Sequence, residues 1–579
     1  MRAWSRRRRL LTVGGGLVGL WLLLAGWQAV RAARSLQAGG DDLRAVRARA
    51  SLDALLDPST GDRLDDAGAR FAEADAAAGS PLLAPVRLLP VVGRHVRAMG
   101  ELADAGVQGS AAATASLADL RELADRPRAA GPGRIDALLD LSAIAARAER
   151  SLGRIDAGSP DALVGPLGDA VAEVEDQRQA AATAARRLGA TADGLAQLLA
   201  GPDPYLLLGA NNAEMRAGSG MFLSAAELGF DDGRMALGEV HPTAELIAPE
   251  GAVPVEGDLG ANWGWLEPGR DLRQLGVTVD FPQSAAVAVR TWAAVGGSPE
   301  VAGVISIDVD GLRNLLRAVG PVEVDGVRYT ADSVRGELLR QQYARFDQRD
   351  ERDERRDQLG DVASAVFERV EAGDWEMGEL ATQMADAVAG RHLLVWSSDP
   401  DLEATWADLG ADGHLDERSL AVSLLNRGAN KLDSWIETGV DVTTADGPGG
   451  RRAIRVELTL RNTASGDVGP RYVVGPNLEG LEAGDHRGLA VVNLPAGTDD
   501  LEVEGGRLFL QGGDGPTVVV AAEVDVPAGE TTTVVVRGRL PSGLDALVLE
   551  PSARIPRTRW VVDGRSIDRD RRRTVTLGR

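Results

Sequence analysis

Pro204-Tyr205-Leu206-Leu207-Leu208-Gly209-Ala210-Asn211-Asn212-Ala213-Glu214-Met215-Arg216 is the stretch on which the reading of the fold turns. Tyr205 to Leu208 is a short apolar run directly after a proline, the pattern of a buried strand. The polar residues behind it fall where α/β folds place ligand groups, on the loop at a strand end. Val304–Ile307 and Leu393–Trp396 are two more such runs. Helix-like stretches separate them: Gln283–Val295, Gly311–Val319, Ala331–Val370 and Met377–Ala389. Strands alternating with helices predict an α/β domain over about 202–437.

The pattern differs on either side. Residues 31–200 are rich in Ala, Leu, Arg and Asp, with apolar positions at helical spacing, as in Leu52, Leu55, Leu56 and in Val171, Val174. Interrupted at Pro81, Pro85, Pro90 and again between Pro127 and Pro132, this stretch predicts a helical bundle or stalk. From about 440 the period becomes two. Ile454, Val456, Leu458 and Leu460 alternate with Arg455, Glu457 and Thr459, and Gly/Pro turns separate further β-rich runs, which predicts an antiparallel β-sandwich over 440–579.

The chain has 579 residues, 44% hydrophobic and 26% charged, enough for several packed domains. A net charge of −23 argues against a general nucleic-acid binder, which needs a basic face to release counterions. The absence of cysteine removes disulfides, thiolate metal sites and a Cys nucleophile. The five histidines are scattered, without the spacing of a zinc site. Of 63 basic residues one is lysine, Lys431. Arginine abundance therefore carries little functional weight by itself and fits GC-rich codon usage.

Leu10 to Val30 carries no charge. At about 1.5 Å per residue it matches a hydrocarbon core of about 30 Å, which predicts a transmembrane helix over 10–30. Arg6 to Arg9 precede it, placing the tail 1–9 in the cytoplasm and the bulk outside the cytoplasmic membrane. A cleaved signal peptide is the rival reading, but no small-x-small site precedes Arg31. No Walker-type loop, G-x-S-x-G or H-E-x-x-H is present.

Three segments carry candidate chemistry. Asn211, Asn212, Glu214 and Arg216 with the Gly218-Ser219-Gly220 turn bring amides, a carboxylate and a guanidinium together, as an ion site or as a capped polar turn. In a helix, Arg345, Arg349, Arg352 and Arg356 share one face, suited to phosphate. Asp347, Asp350, Glu354 and Asp357 lie roughly opposite, suited to a hard divalent cation. The blander reading is a solvated helix of i,i+4 pairs. Asn430 and Lys431 form the third segment, where a compact ammonium replaces the usual arginine.

These segments resemble a bacterial family labelled domain of unknown function 4012, common in actinobacteria. The stretches in order are Pro204–Leu208 with Asn211–Arg216, Asp232-Gly233-Arg234, Asn262-Trp263, Asp280–Ala285, Gly303–Asp308, Gly320-Pro321-Val322 and Asn430-Lys431. A weaker resemblance runs to the LytR-CpsA-Psr proteins, membrane-anchored enzymes that move glycopolymers from polyprenyl-pyrophosphate carriers onto the cell wall. It implies an α/β domain of that type. Arg345, Arg349, Arg352 and Arg356 would then hold phosphate, with Arg216 in the place of the first-loop arginine and Asp347 near Mg2+. The chain departs from that pattern in offering Asn211 and Asn212 where those enzymes carry an Asp.

Two function classes follow, both extracytoplasmic and in the assembly of envelope glycopolymers. One is a transferase acting on a lipid-linked pyrophosphate. The other is a non-catalytic scaffold or lipid-linked-glycan-binding protein using the same pocket. Expected partners are the membrane, a lipid-linked glycan or wall polymer and envelope assembly proteins, with no nucleic acid.

Overall fold

The computed structural model describes residues 2–47, 57–126, 130–345, 352–567 and 570–578, with backbone alone for 2–19, 47, 58, 352–359 and 448. The chain divides into two compact units, Met1–Pro127 with Asp136–Ala196, and Arg128–Ile135 with Gln197–Arg579.

The first unit is helical. It contains α1 (Arg2–Arg47), α2 (Pro58–Ala78), α3 (Val92–Ala124) and most of α4 (Pro132–Gly153) and α5 (Gly165–Ala200). Pro58 opens α2 behind Asp57, whose carboxylate accepts the Ser59 amide at 2.8 Å. Pro81, Pro85 and Pro90 fall in the turns between α2 and α3, where a missing N–H breaks no helix. Alanine lets the helices approach closely, as at Ala32, Ala77 and Ala78. The Phe71 ring fills the remaining space. A Cβ added at Gly106 would lie 2.5 Å from that ring and one at Gly39 2.9 Å, so both positions require glycine. Among the described residues no helix is long and apolar enough to cross a membrane. The side chains of residues 10–19, half of the expected span, lie outside that description.

The second unit combines helices and sheets. Its first sheet has the order β3-β2-β1-β5-β8, with β1 (Tyr205–Met215), β2 (Gly220–Asp231), β3 (Arg234–Leu237), β5 (Gly303–Asp308) and β8 (Leu393–Ser397); β4 (His241–Pro242) pairs with β2. Only the pairing of β1 with β5 is parallel, from Tyr205 opposite Gly303 to Ala210 opposite Asp308. The helices that matter here are α6 (Gly257–Trp263), α7 (Phe281–Ala294) and α8 (Val309–Val319). The β-hairpin of β6 (Val322–Val324) and β7 (Val327–Tyr329) follows α8. Within the helix expected over 331–370, Val334–Gly336, Glu337–Gln341 and Gln342–Arg345 form a helical run and Arg352–Ala372 is helical; residues 346–351 lie outside the described residues.

The sandwich has two six-stranded sheets. One has the order β13-β16-β11-β10-β18-β19 and the other β14-β15-β12-β9-β17-β20. Their strands are β9 (Ser419–Asn426), β10 (Ile436–Asp446), β11 (Arg452–Asn462), β12 (His486–Leu494), β13 (Asp499–Glu504), β14 (Arg507–Asp514), β15 (Thr517–Val526), β16 (Thr531–Arg539), β17 (Ala546–Glu550), β18 (Arg559–Val562), β19 (Arg565–Ile567) and β20 (Arg573–Thr576). Two features differ from the sequence reading. β9, assigned there to the α/β part, is a central strand between β12 and β17, which moves the boundary from about 437–440 to about 418. The sandwich is also not wholly antiparallel, since β17 runs parallel to β9 and β18 to β10.

The two expected domains share a core. Leu206, Leu208, Phe222, Trp263, Phe281 and Val304 pack in one cluster with Leu425, Leu489, Val491 and Val519 of the sandwich. Polar joins fasten the same seam. Asn262 Nδ2 donates to Gly513 O at 2.6 Å, the Gly515 amide donates to Asp258 at 3.0 Å, and Thr278 Oγ1 donates to Asp514 Oδ1 at 2.6 Å. Gln283 Nε2 bridges Asp280 and Asp514 at 2.9 and 3.1 Å.

Burial pushes the Asp514 carboxyl up from its ordinary 3.8 to about 6, with Asp280 adding to the rise against the hydrogen bonds from Thr278 and Asn493. A group raised on folding contributes stability that is full below its unfolded value and lost as pH climbs through the folded one. The seam should therefore weaken between pH 4 and 7, by on the order of 3 kcal/mol. Asp514→Asn should flatten that decline, checked by urea unfolding at both pH values. An unchanged slope would remove Asp514 as the titrating group.

Candidate functional site

The parallel pairing of β1 with β5 ends at Ala210 opposite Asp308, and residues at and beyond that point build two polar centres. In the first, β1 carries Asn211, Asn212 and Glu214 onward as an irregular strand, its register against β2 shifting after Gly209 and again after Asn211. Lys431 Nζ donates to Glu214 Oε2 from the loop after β9, and its ammonium stands 5.6 Å from the Tyr472 ring centroid. Arg216 Nη2 lies 3.6 Å from Glu214 Oε1, and Arg216 Nε donates to Gln274 at 3.1 Å. Asn211 Nδ2 donates to the Tyr343 hydroxyl at 3.0 Å, and Asn430 Nδ2 to Asp485 O at 2.9 Å.

Glu214, Arg216, Asn211, Asn430 and Lys431 are all buried. Burial opposes the Lys431 charge, but Glu214 outweighs it and holds the ammonium protonated above its usual range. Burial dominates at Arg216 and pulls the guanidinium down against Glu214 and Asp433. Asp433 sits at the centre of the neighbouring network. It accepts from the Met215 amide at 3.0 Å, Asn426 at 2.7 Å and Arg554 at 3.2 Å, with His486 Nε2 at 3.3 Å. Burial would raise its carboxyl, but His486 and Arg554 hold it well below the usual range.

The first and third sequence motifs thus meet at Glu214 and Lys431. The glycine-rich turn between them is filled by protein: the Gly218 amide donates to Gly276 O at 2.7 Å, and a Cβ at Gly218 would lie 1.9 Å from Thr278 O. This centre fastens β1 to the sandwich. Removing one partner of a buried ion pair typically costs about 3–5 kcal/mol, because the other charge stays buried. Lys431→Met should destabilise by that amount in chemical unfolding, and Glu214→Gln on top of it should recover at least half. A cycle showing no recovery would mean that the two charges do not depend on each other.

Asn212 belongs to the second centre. Its Nδ2 donates to Asp308 Oδ2 and to Ala553 O, both at 2.8 Å. Asp308 ends β5 and caps α8, accepting the Asp310 and Gly311 amides at 2.8 and 2.9 Å. His392 Nδ1 lies 2.7 Å from Asp308 Oδ2, and its Nε2 3.5 Å from Asp310 Oδ2. Arg335 forms a two-point pair with Asp310, and Arg557 approaches the same carboxylate at 3.6 Å. Burial would raise Asp310, but Arg335, His392 and Arg557 hold it below its ordinary value. Around it, burial and then Arg335, Arg317 and Arg557 pull the Arg313 guanidinium down. Arg335 and Arg557 thus pair with Asp310, Arg313 of α8 lies in the field of the same carboxylate, and Arg317 one turn on crowds Arg313. Arg317 and Arg557 are exposed, and Arg313 and Arg335 are partly so.

Burial opposes the His392 charge, but Asp308 and Asp310 outweigh it, against Arg557, and raise its pKa. The stability it contributes is full below about 6.5 and is lost as pH rises through the folded value. Wild type should thus lose stability from pH 6.5 upward relative to His392→Gln, measured as the pH dependence of urea unfolding. Parallel curves would show that His392 keeps its charge state throughout.

The arginine stripe is only partly within view. Arg345 is exposed and pairs with Glu337, and no contact joins it to Arg216 among the described residues. Asp347 and Arg349 lie outside the described residues, as do the side chains of Arg352 and Arg356. Among the described residues no group of three or more His, Asp or Glu side chains is disposed to hold a metal ion. Asp308 and Asp310 do not fit magnesium, because amides, Asn212, His392 and arginines already occupy their oxygens.

Sequence reasoning missed Asp310, Arg313, Arg335, His392 and Arg554, and gave no role to Asp433, two residues past Lys431 of the third segment. Asp308, Asp310 and Arg313 were within reach, at the junction of an apolar strand and the helix that follows it. Arg335, His392 and Arg554 come from distant segments, and no spacing joins them.

No curated protein and no solved structure matches the chain. The likeness to LytR-CpsA-Psr proteins rests on motif order alone. Residues 200–343, which hold the end of the β1–β5 pairing and the whole of α8 but not the Asn430-Lys431 segment, match the family model described as "Protein of unknown function (DUF4012)".

Proposed function

We propose that this is an extracytoplasmic protein, held in the cytoplasmic membrane by residues 10–30, that binds a phosphate-bearing envelope glycan or its polyprenyl-pyrophosphate carrier without transferring it. The observation that carries the reading is the crowding of guanidiniums at the rim: Arg335 and Arg557 on Asp310, with Arg313 in the same field and Arg317 beside Arg313. Guanidiniums that crowd one another gain from a polyanion, and their planar forks match phosphate oxygens two at a time. The cluster stands beyond the carboxyl ends of the parallel strands, where such sheets take ligands.

Binding is favoured over catalysis because the acid–base groups nearby are engaged. His392 is buried with both ring nitrogens facing carboxylates, which leaves no free base beside the arginines. Glu214 pairs with Lys431, and Asp433 with Arg554 and His486, inside the seam. A magnesium requirement and a transferase step belong to the rival reading, through Asp347 and Arg349.

The test uses the full chain in detergent, titrated with polyprenyl pyrophosphate and separately with inorganic pyrophosphate, with and without magnesium, while phosphate release is followed. Binding without release is expected. It should weaken at least about tenfold in Arg313→Gln/Arg557→Gln, and the salt dependence should become shallower as positive charges are lost. Release of phosphate would favour the transferase. Binding untouched by the double variant would move the site away from α8.

A further inference from the structure

The connection between α2 and α3 reads Pro81-Leu82-Leu83-Ala84-Pro85-Val86-Arg87-Leu88-Leu89-Pro90-Val91-Val92, with a single charge. Leu88, Leu89, Val91 and Val92 are exposed, Leu88 at 85%. Four bulky aliphatic side chains turned outward on one short connection are unusual on a surface facing water.

The placement of this connection against α1 gives it a partner. Trp21 Nε1 donates to Leu82 O at 3.0 Å, and Ala25 packs with Leu83 and Val96. On its outer side α1 exposes Leu22, Leu23, Leu24, Trp27 and Val30, so the apolar surfaces of helix and connection adjoin. Trp27 stacks under Arg31, with the guanidinium carbon 5.8 Å from the ring centroid, the kind of pair found at a headgroup boundary. Trp21 lies six residues further toward the N-terminus, about 9 Å deeper along the helix. A connection bonded at Trp21 sits at that depth too.

Arg87 fits the same picture. Its side chain turns back to donate to Ala78 O, and Ala78 packs with Ala32 of α1, beyond Arg31 on the extracytoplasmic side. The one charge of the connection therefore reaches back toward the boundary and leaves the aliphatic side chains deeper, as snorkelling arginines do.

We infer that residues 81–92 dip into the outer leaflet of the bilayer beside α1. The helical unit would then stand on the membrane at two points, and its first turns would be fixed at lipid depth. This rests on the anchoring of residues 10–30 proposed above.

The chain has no cysteine, so single-cysteine variants of the full-length protein can be spin-labelled without background. Leu89→Cys and Val92→Cys report the connection, Leu23→Cys reports α1, and Thr183→Cys on α5 is the exposed control. The probes are molecular oxygen and a water-soluble nickel chelate, in vesicles of phosphatidylglycerol and phosphatidylethanolamine. Labels at 89, 92 and 23 should be reached by oxygen and shielded from nickel several-fold more than the label at 183. If 23 lies in lipid while 89 and 92 meet nickel freely, the connection is aqueous and only this inference falls. If all four meet nickel, the anchor falls as well. If 89 and 92 are shielded from both probes, protein covers the connection, a second copy or another partner, and the lipid assignment is overturned. Circular dichroism of each variant before labelling checks that its helices are intact.

Discussion

A carboxylate that water cannot reach has to be neutralised by the protein around it, and Asp433 imposes that demand on four parts of the chain. Its partners come from the end of β1, from β9, from the start of β12 and from the segment before β18. Strand β1 belongs to the first sheet and the other three to the sandwich, so meeting this demand holds the two together. Arg554 extends the tie through its hydrogen bonds to the Asp433 and Ile436 carbonyls. The ion pair of Glu214 with Lys431 lies beside it and repeats the arrangement across the same seam.

The motifs within the segment that matches the DUF4012 model take a different meaning in that light. Asn262, Asp280, Gln283 and Glu214 face the sandwich or its loops, and the turn around Gly218 packs on the backbone of Gly276 to Thr278. Polar residues gathered on strand ends look alike in sequence whether they bind a ligand or another part of the protein. Here most of them bind protein. The charge left over collects on the rim, where α8 starts behind Asp308: Arg313, Arg335 and Arg557 share the field of Asp310, and Arg317 crowds Arg313.

Much of the layout was legible along the chain. Apolar runs located β1, β5 and β8, helical periodicity located α7 and α8, and alternation located β11. One failure has a physical cause. β9 (Ser-Leu-Ala-Val-Ser-Leu-Leu-Asn) is buried on both faces, so it lacks the alternation that marks a sandwich strand, and periodicity alone assigns it to the neighbouring domain.

By itself the sequence determined the order of helical, mixed and β-rich segments and the family model that residues 200–343 match, since composition, periodicity and motif order are local properties of a chain. Only the tertiary structure decided that the α/β layer and the sandwich share one core, that Glu214 and Lys431 neutralise each other inside it, and that Arg313, Arg335 and Arg557 from three segments gather on Asp310. Burial and the distance between charges set those outcomes. Both depend on which segments fold against one another, and no spacing along the chain records that.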